Sequence, residues 1–344
     1  LNTVASLYTQ VGGSSGGAGL QGTDRGIYDL NTFTTDEVML PTRGGDWYDG
    51  GLWQNLFHHA WGTKNDLLKG SWDYLYKVIA QTNASLDKLN SILKEDPNNK
   101  VIPPYIAEVR AFRAMYYYYL LDMFARVPIV TSSKVELKDV EQSERSAVFN
   151  FVKKELEETV EQLSDAHSNL SGEYYGRMTK PVAYLLLAKI ALNSEIYADD
   201  NWTDGTKIDG KTIKFTVDGE EKNAWEATIA YCDKITALGY KLEPKFASNF
   251  STTNENSVEN IFTIPMDRNL YKNEFYYLIR SRHYSHAKAY GQGGWNGASA
   301  TKEAIDAFGY NTAAQDPRFD LTYYAGKIEG PAGIIKLDDG TELE

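Results

Sequence analysis

Apolar side chains recur along this chain at the three-and-four spacing that is typical of amphipathic helices. The pattern is clearest in five stretches, which run over about residues 70–93, 107–126, 146–163, 179–192 and 224–238. The first four begin about 35 residues apart, close to the length of a tetratricopeptide helix pair, although the consensus of that repeat is not met. Such helices pack as antiparallel hairpins. The pattern therefore predicts a mostly α fold, a right-handed tetratricopeptide-like scaffold with irregular loops and minor β-hairpins.

The second stretch, residues 107–126, carries the densest aromatic run in the chain. Four consecutive tyrosines, Tyr116 to Tyr119, lie beside a stripe of alanines that would let a neighbouring helix approach closely. Each tyrosine hydroxyl requires a hydrogen-bond partner if the helix is buried. Pro128 cannot continue a helix and favours an extended residue before it, so the helix is predicted to end near Arg126.

The sequence outside these helices divides into segments of different composition. Residues 1–31 are rich in glycine and serine, and residues 199–223 contain two Asp-Gly turns around an alternating run that predicts a β-hairpin insertion. Residues 254–265, NENSVENIFTIP, predict a short strand, and the sequence from Asp267 onward is irregular. We expect residues 1–344 to form a single domain built around the helices.

Composition narrows the class of protein. The chain of 344 residues has 35 basic and 47 acidic side chains, and this net charge of −12 argues against a nucleic-acid-binding surface. It contains no run of about 18 apolar residues, the length that a membrane span requires. Aromatic residues make up 13%, including 24 Tyr and 7 Trp, which exceeds what core packing needs and favours a recognition surface. The single cysteine, Cys232, lies at helical spacing and is predicted to be a core residue.

Candidate metal ligands are few, and we expect neither a metal nor another cofactor. His283 and His286 lie three residues apart, a spacing that leaves zinc open, but the sequence offers no third ligand. Asp199, Asp200 and Asp204 leave calcium open, but their spacing lacks the loop pattern of an EF-hand. A solvated acidic loop is the simpler interpretation of this cluster.

Known catalytic motifs are absent from the sequence, so we expect no catalytic residues and no enzymatic activity. The letters G-x-S-x-G occur at residues 12–17, but in a glycine- and serine-rich run that no strand clearly precedes, so the sequence contains no nucleophile elbow; H-E-x-x-H does not occur, and the only cysteine is predicted to be buried. A glycoside hydrolase stays open as an alternative, because it needs only two carboxylates at a suitable separation. Four carboxylates lie close together in sequence: Asp36, Glu37, Asp46 and Asp49.

Two aromatic segments are candidates for a ligand-binding surface. Residues 44–61, GGDWYDGGLWQNLFHHAW, begin with glycines that do not fit a regular helix, so their first three large aromatic residues are predicted to be displayed from a loop. Trp61 and Trp72 lie nearer the helical pattern and are expected in the core. In residues 284–296, YSHAKAYGQGGWN, Trp295 follows two glycines, which again favours a turn.

Two of the helical stretches resemble the signature of a known family. Residues 107–128, AEVRAFRAMYYYYLLDMFARVP, resemble the A-E-x-R-x-x-R-A-x-x-Y-x-x-L-x-x-x-F-G-x-V-P pattern of the SusD/RagB family, although Ala125-Arg126 replaces the usual glycine. Residues 176–192 resemble the G-R-x-x-K-x-A-x-x-L-L-A-K-x-Y-L block of the same family, and residues 254–265 resemble its N-E-N-S-x-E-x-I-F-x-I-P element. The blocks occur in the family's order, so the chain is identified as a member of the SusD/RagB family.

The resemblance also implies a binding site. In starch-binding members of the family, an aromatic arc is assembled from a loop after a T-D-E element and a segment before a later helix. Trp47 and Trp295 stand at the corresponding positions and are the first candidates. The further candidates are the aromatic residues Tyr48, Trp53 and Tyr290, with Asn296 and Asp49 as partners for sugar hydroxyls.

The function that the resemblance implies is capture of a glycan at the cell surface. Such a protein is an outer-membrane lipoprotein that delivers oligosaccharide or polysaccharide to a TonB-dependent, SusC-like transporter, without catalysis. The chain lacks the N-terminal lipid anchor and the C-terminal helices of the family, so we expect it to be the front part of a family member. A RagB-like scaffold that binds peptide and, less favoured, a glycoside hydrolase stay as alternatives. The sequence does not identify the glycan.

Overall fold

The computed structural model describes residues 2–13, 17–267, 269 and 275–344. Its α-helices, in chain order, are α1 Asn2–Tyr8, α2 Ile27–Phe33, α3 Leu52–Phe57, α4 Asp66–Glu95, α5 Ile102–Phe124, α6 Arg145–Thr159, α7 Lys180–Leu192, α8 Ser194–Tyr197, α9 Ala224–Ala237, α10 Tyr284–Ala289, α11 Lys302–Ala307 and α12 Phe319–Thr322. Its strands are β1 Val38–Met39, β2 Lys214–Val217, β3 Glu220–Asn223, β4 Ser299–Ala300, β5 Glu329–Gly330 and β6 Gly333–Ile334. They pair as three antiparallel two-stranded ladders, β1 with β4, β2 with β3 and β5 with β6.

The chain divides into two compact units. Unit 1 comprises Leu1–Gln10 and Trp72–Pro265, and unit 2 comprises Val11–Ser71 and Met266–Glu344. Residues 14–16 of the glycine- and serine-rich segment lie outside the described residues. That residues 1–344 form a single domain stays a prediction.

Unit 1 contains the helices that the sequence predicts, and it confirms the mostly α fold class. Within it α5 packs on α6, α6 on α7 and α7 on α9. Helix α5 ends at Phe124, slightly before the predicted Arg126, because Ala125 adopts a positive φ of 59° that a helix cannot accommodate. Within the described residues, none of the helices combines the length and the apolar character needed to cross a membrane.

Two buried tyrosines of α5, Tyr116 and Tyr117, have the hydroxyl partners that their burial requires. The Tyr116 hydroxyl lies 2.9 Å from that of Tyr74 on α4. The Tyr117 hydroxyl accepts the amide of Val130 at 2.7 Å and donates to the carbonyl of the same residue at 3.1 Å. Burial raises the pKa of Tyr117 to about 12, so the phenol stays protonated at neutral pH. These bonds let an aromatic run lie in the core.

The charged positions of α5 form buried ion pairs with a neighbouring helix. The Arg113 guanidinium donates to Glu155 of α6 at 2.6 Å and to the Asn83 side chain of α4 at 2.8 Å. Arg110 donates to the other oxygen of Glu155 at 2.7 Å. One buried carboxylate therefore binds two arginines, and this arrangement fixes α5 against α6.

A second ion pair ties α5 to the residues before α7. The Glu108 carboxylate accepts Arg177 Nη2 at 2.6 Å and Nε at 2.9 Å, a bidentate pair. It also accepts the hydroxyl of Tyr8, at the end of α1, at 2.5 Å. Burial, followed by the Glu108 charge, raises the pKa of Tyr8. The charged residues of both signature blocks thus hold unit 1 together.

A β-hairpin lies in the stretch for which the sequence predicts one. Strands β2 and β3 pair from Lys214 with Asn223 to Val217 with Glu220. The turn residues Asp218 and Gly219 both have positive φ, 54° and 79°, as a tight hairpin turn requires. The last residue of the hairpin, Asn223, also forms a capping box at the start of α9.

Three predictions about unit 1 and its neighbours are wrong. Cys232 is exposed rather than in the core, because α9 turns the adjacent Tyr231 inward. Residues 254–265 form no strand, because side chains accept hydrogen bonds from backbone amides that a strand partner would otherwise use. For example, the Glu243 carboxylate accepts a hydrogen bond from the amide of Val258. Trp61, in unit 2, is 39% exposed, because it follows the end of α3 instead of continuing that helix.

Unit 2 is built around a buried ion pair instead of a helix bundle. Arg280 and Asp29 are 3% and 0% exposed, and their side chains form a salt bridge. The Arg280 guanidinium also donates to the carbonyl of Thr23 at 2.9 Å and stacks over the ring of Phe33 at 4.9 Å. Burial raises the pKa of Asp29, whereas the Arg280 charge opposes that shift. This pair fixes the segment around residue 280 to α2.

Candidate functional site

The two aromatic segments meet in unit 2. The ring centroids of Trp47 and Trp295 lie 6.4 Å apart with the planes tilted by 39°, and the Trp47 indole N–H donates to the Trp295 carbonyl at 3.0 Å. Together with Asp46, Asp49 and Tyr284 they line a groove of about 290 Å³, called here the aromatic groove. Residues that are about 250 positions apart in sequence thus form one surface.

A strained backbone presents Trp47 to the aromatic groove. Arg43 and Asp46 exchange backbone hydrogen bonds at 3.0 Å, which closes a tight turn before the tryptophan. Trp47 itself has a φ of 63°, a left-handed conformation that is uncommon for large side chains. Such a conformation costs on the order of 1–3 kcal/mol and persists where the surroundings fix it. Asp49 follows with a φ of 42° and begins the turn into α3.

The second segment is held by the backbone around Arg280. The amides of Trp295, Asn296 and Gly297 donate to carbonyls of residues 279–282, the last at 2.6 Å. Gly297 is required there, because an added Cβ would lie 2.8 Å from the indole of Trp47. The backbone around Arg280 therefore positions the Trp295 wall of the aromatic groove.

Each carboxylate of the aromatic groove is held through one of its two oxygens. The Tyr284 hydroxyl donates to Asp46 at 2.9 Å, and this bond raises the pKa of Tyr284. One oxygen of Asp49 accepts the Trp53 indole N–H at 2.8 Å and Arg25 at 3.2 Å. The other oxygen of each carboxylate has no hydrogen-bond partner among the described residues, which leaves it available to a ligand hydroxyl.

Three of the seven predicted site residues line the aromatic groove. Trp47 and Trp295 are half-buried, so each keeps part of its ring accessible, and Asp49 is exposed. The prediction that Trp53 is displayed is wrong, because α3 directs it into the core, where it is 2% exposed. Its indole packs edge-on against Trp47 at 6.4 Å, so Trp53 supports the groove from within unit 2.

The other three predicted residues lie in the same segments but do not line the groove. Tyr48 is 60% exposed and lies next to Trp47, and Tyr290 is exposed and donates to the Glu329 carbonyl at 3.4 Å. Asn296 is half-buried, with a φ of 47°. A role for these three in binding stays a prediction.

The sequence did not indicate two of the groove residues as ligand-binding, although it placed Asp46 among the carboxylates that a hydrolase would need. Tyr284 opens the second aromatic segment, and Asp46 precedes Trp47, so both lie within stretches that composition singles out. A hydrogen bond brings the two together although they are 238 residues apart in sequence. The spacing of residues along the chain does not predict a contact over that distance. Composition was the available signal, because Tyr284 lies in a stretch rich in tyrosine and glycine.

The alternatives that involve a metal gain no support from the described residues. No three of their His, Cys, Asp and Glu side chains are close enough together to bind a metal ion. His283 caps α10 by accepting the amide of Ser285 at 3.1 Å. His286 is buried edge-on against Tyr324, at 4.4 Å between ring centroids.

The chain thus contains a mostly α unit and a second, irregular unit in which the aromatic groove lies. A family model described as "Starch-binding associating with outer membrane", of the SusD-like group, matches residues 26–192. The starch-binding protein SusD of Bacteroides thetaiotaomicron is 22% identical over 259 residues, which are 72% of this chain and 40% of that protein.

Solved structures show the same fold. A SusD superfamily protein from Parabacteroides distasonis superimposes with a TM-score of 0.67 at 18% identity, over 96% of this chain and 63% of that one. Surface glycan-binding protein A of Bacteroides thetaiotaomicron, solved with laminarihexaose, superimposes with a TM-score of 0.65 at 19% identity, over 90% of this chain and 60% of that one. The chain spans less than two thirds of the length of each of these relatives. The chain is thus similar in sequence and in fold to SusD-like proteins.

Proposed function

We propose that this protein binds glycans without cleaving them, and that the aromatic groove is the binding site. The observation that carries the proposal is the pairing of two accessible indole rings with two carboxylates and a tyrosine hydroxyl in one groove. Relatives with the same fold include proteins described as starch-binding and as bound to laminarihexaose.

The chemistry of the aromatic groove suits a sugar. The C–H face of a pyranose packs on an aromatic face, while its hydroxyls need hydrogen-bond acceptors and donors. Trp47 and Trp295 supply the faces, Asp46 and Asp49 supply acceptors, and Tyr284 adds a hydroxyl. A groove of this size encloses little of a ligand, so we expect weak affinity, with Kd on the order of 1 mM to 1 μM.

The wider role that we propose is nutrient capture at the cell surface. The family description associates these proteins with the outer membrane. By that relationship, the protein would be a surface-exposed lipoprotein of the outer membrane that delivers its glycan to a SusC-like, TonB-dependent transporter. The direct measurement of this partnership is co-purification of the protein with such a transporter from outer membranes. It is carried out with and without crosslinking that survives detergent.

Affinity electrophoresis in gels containing laminarin, amylose, xylan or dextran tests the binding proposal. Trp47→Ala and Trp295→Ala should each abolish the retardation of the wild-type protein, because each removes one stacking face. Trp61→Ala is a matched control, since Trp61 is exposed in the same unit but does not line the groove. Circular dichroism should show that all variants are folded.

Two results would contradict the proposal. One is retention of wild-type affinity in both groove variants, which would move the site elsewhere. The other is reproducible release of reducing ends from a polysaccharide that ceases in Asp46→Asn or Asp49→Asn, which would make the protein a glycoside hydrolase. Binding of peptides but of no glycan would favour the RagB-like alternative.

A further inference from the structure

The charged groups of the aromatic groove are all acidic in the described part of the chain. Its lining consists of three aromatic residues and the carboxylates of Asp46 and Asp49, without lysine or arginine. A carboxylate accepts hydrogen bonds from sugar hydroxyls but repels another anion at contact distance. The lining therefore distinguishes ligands by charge as well as by shape.

The basic residues that contact this lining already have acceptors. Arg25 donates to Asp49 at 3.2 Å, and Arg43 donates to the Ser299 hydroxyl at 2.6 Å. Neither guanidinium is among the groove-lining residues. An acidic sugar that paired with Arg25 would compete with Asp49 for that guanidinium and would lie close to the Asp49 charge.

The hydrogen bond from Tyr284 to Asp46 also disfavours an anionic ligand. At 2.9 Å it fixes the position of the Asp46 carboxylate in the lining of the groove. An incoming uronic acid or sulfate ester would meet this fixed charge directly. A neutral sugar hydroxyl would instead donate to the carboxylate oxygen that lacks a partner among the described residues.

We infer that the aromatic groove selects neutral glycans and excludes uronate-containing or sulfated ones. This inference rests on the proposed function and specifies its substrate class. The groove's three aromatic residues provide the stacking faces that any hexose or pentose can use. Its two carboxylates then set the charge of the chains that can enter.

The test compares neutral and anionic derivatives of one polysaccharide. Laminarin, amylose and dextran are each carboxymethylated and, as the size-matched neutral control, hydroxyethylated to the same degree of substitution. Isothermal titration calorimetry at low salt then measures both derivatives against the wild-type protein. For the backbone that binds, we expect the carboxymethyl derivative to bind at least tenfold more weakly than the hydroxyethyl derivative.

Variants and added salt test whether the groove carboxylates cause the difference in affinity between the two derivatives. Asp46→Asn combined with Asp49→Asn should reduce the tenfold difference to threefold or less, at lower overall affinity. Glu303→Gln, which removes an exposed charge that does not line the groove, should leave the difference unchanged. Increasing sodium chloride to 0.5 M should narrow the wild-type difference, because salt screens exposed charges.

The outcomes separate the two proposals. Equal or tighter binding of the carboxymethyl derivative by the wild-type protein would overturn the inference and leave the proposed function intact. A tenfold difference that persists in the double variant and in high salt would also overturn it, because the groove carboxylates would not be the cause. Absence of binding to every neutral polysaccharide would overturn the proposed function and the inference together.

Discussion

Substitution of Gly297 by alanine should impair ligand binding without removing any ligand-contacting group. The added Cβ would lie 2.8 and 2.9 Å from two atoms of the Trp47 indole and 3.2 Å from the Arg280 carbonyl oxygen. Carbon atoms in contact prefer about 3.5–4.0 Å, so the indole would have to move by about 0.7 Å or more. The φ of Gly297 lies outside the left-handed region, so the effect is purely steric.

The displaced indole would lose its fixed position. Trp47 donates to the Trp295 carbonyl at 3.0 Å and packs against Trp53, so a shift weakens a hydrogen bond and opens the ring stack. Overpacking of this kind costs about 1–3 kcal/mol. If this whole cost opposes binding, we expect about a 5- to 140-fold loss in affinity for the glycan that the wild-type protein binds, since 1.4 kcal/mol corresponds to a factor of ten. Isothermal titration calorimetry measures the loss.

Gly293→Ala is the matched control for this prediction. Its added Cβ would meet only the Ile279 side chain at 3.5 Å, an ordinary contact, in the same segment of the chain. We expect its affinity to remain within about twofold of wild type, well below the tenfold change that 1.4 kcal/mol gives. Equal affinities of Gly297→Ala and wild type would refute the argument, because the groove would then tolerate displacement of Trp47.

Three further predictions concern stability. Arg280→Met should lower the free energy of unfolding by about 3–5 kcal/mol in urea titrations, because it leaves a buried carboxylate uncompensated. Glu155→Ala should cost a similar amount by stranding Arg113, whereas the exposed Glu158→Ala should cost less than about 1 kcal/mol. Burial lowers the pKa of His286 in the folded protein, so the stability that the neutral imidazole contributes is lost as the pH falls below the pKa of histidine in the unfolded chain. One proton changes stability by at most about 1.4 kcal/mol per pH unit. His286→Gln should therefore make the melting temperature less dependent on pH between pH 7 and 5. A Glu158 effect equal to that of Glu155, or an unchanged pH profile, would contradict these assignments.

Local periodicity predicted unit 1 well because its helices obtain their stability from repeated apolar faces. The periodic stretch over residues 179–192 predicted α7, and Asp218-Gly219 marked the hairpin turn. Exposure was harder to predict. Cys232 and Tyr231 are adjacent in one helical pattern, yet they point in directions about 100° apart, and only packing decides which one is buried.

For unit 2, the sequence predicted which segments are rich in aromatic residues but not how those segments contact each other. Its aromatic segments were apparent, but Trp53 and Trp47 differ in burial because α3 begins between them, at Leu52. The bond from Trp47 to Trp295 spans 248 residues, and no sequence period encodes such a contact. The family resemblance supplied the two regions, whereas the partner Tyr284 emerged from the hydrogen bonds.

The indole of Trp47 takes its orientation from the main chain of the opposite segment. Because the acceptor is a carbonyl group, exchanging side chains in residues 284–296 leaves that anchor in place, whereas a change in loop length there would rotate the tryptophan. Diversification of this surface by point substitution is thus compatible with a constant ring geometry. Insertions would need to arise in both segments together, so engineering of new ligand preferences should keep both lengths and vary the residues between the rings.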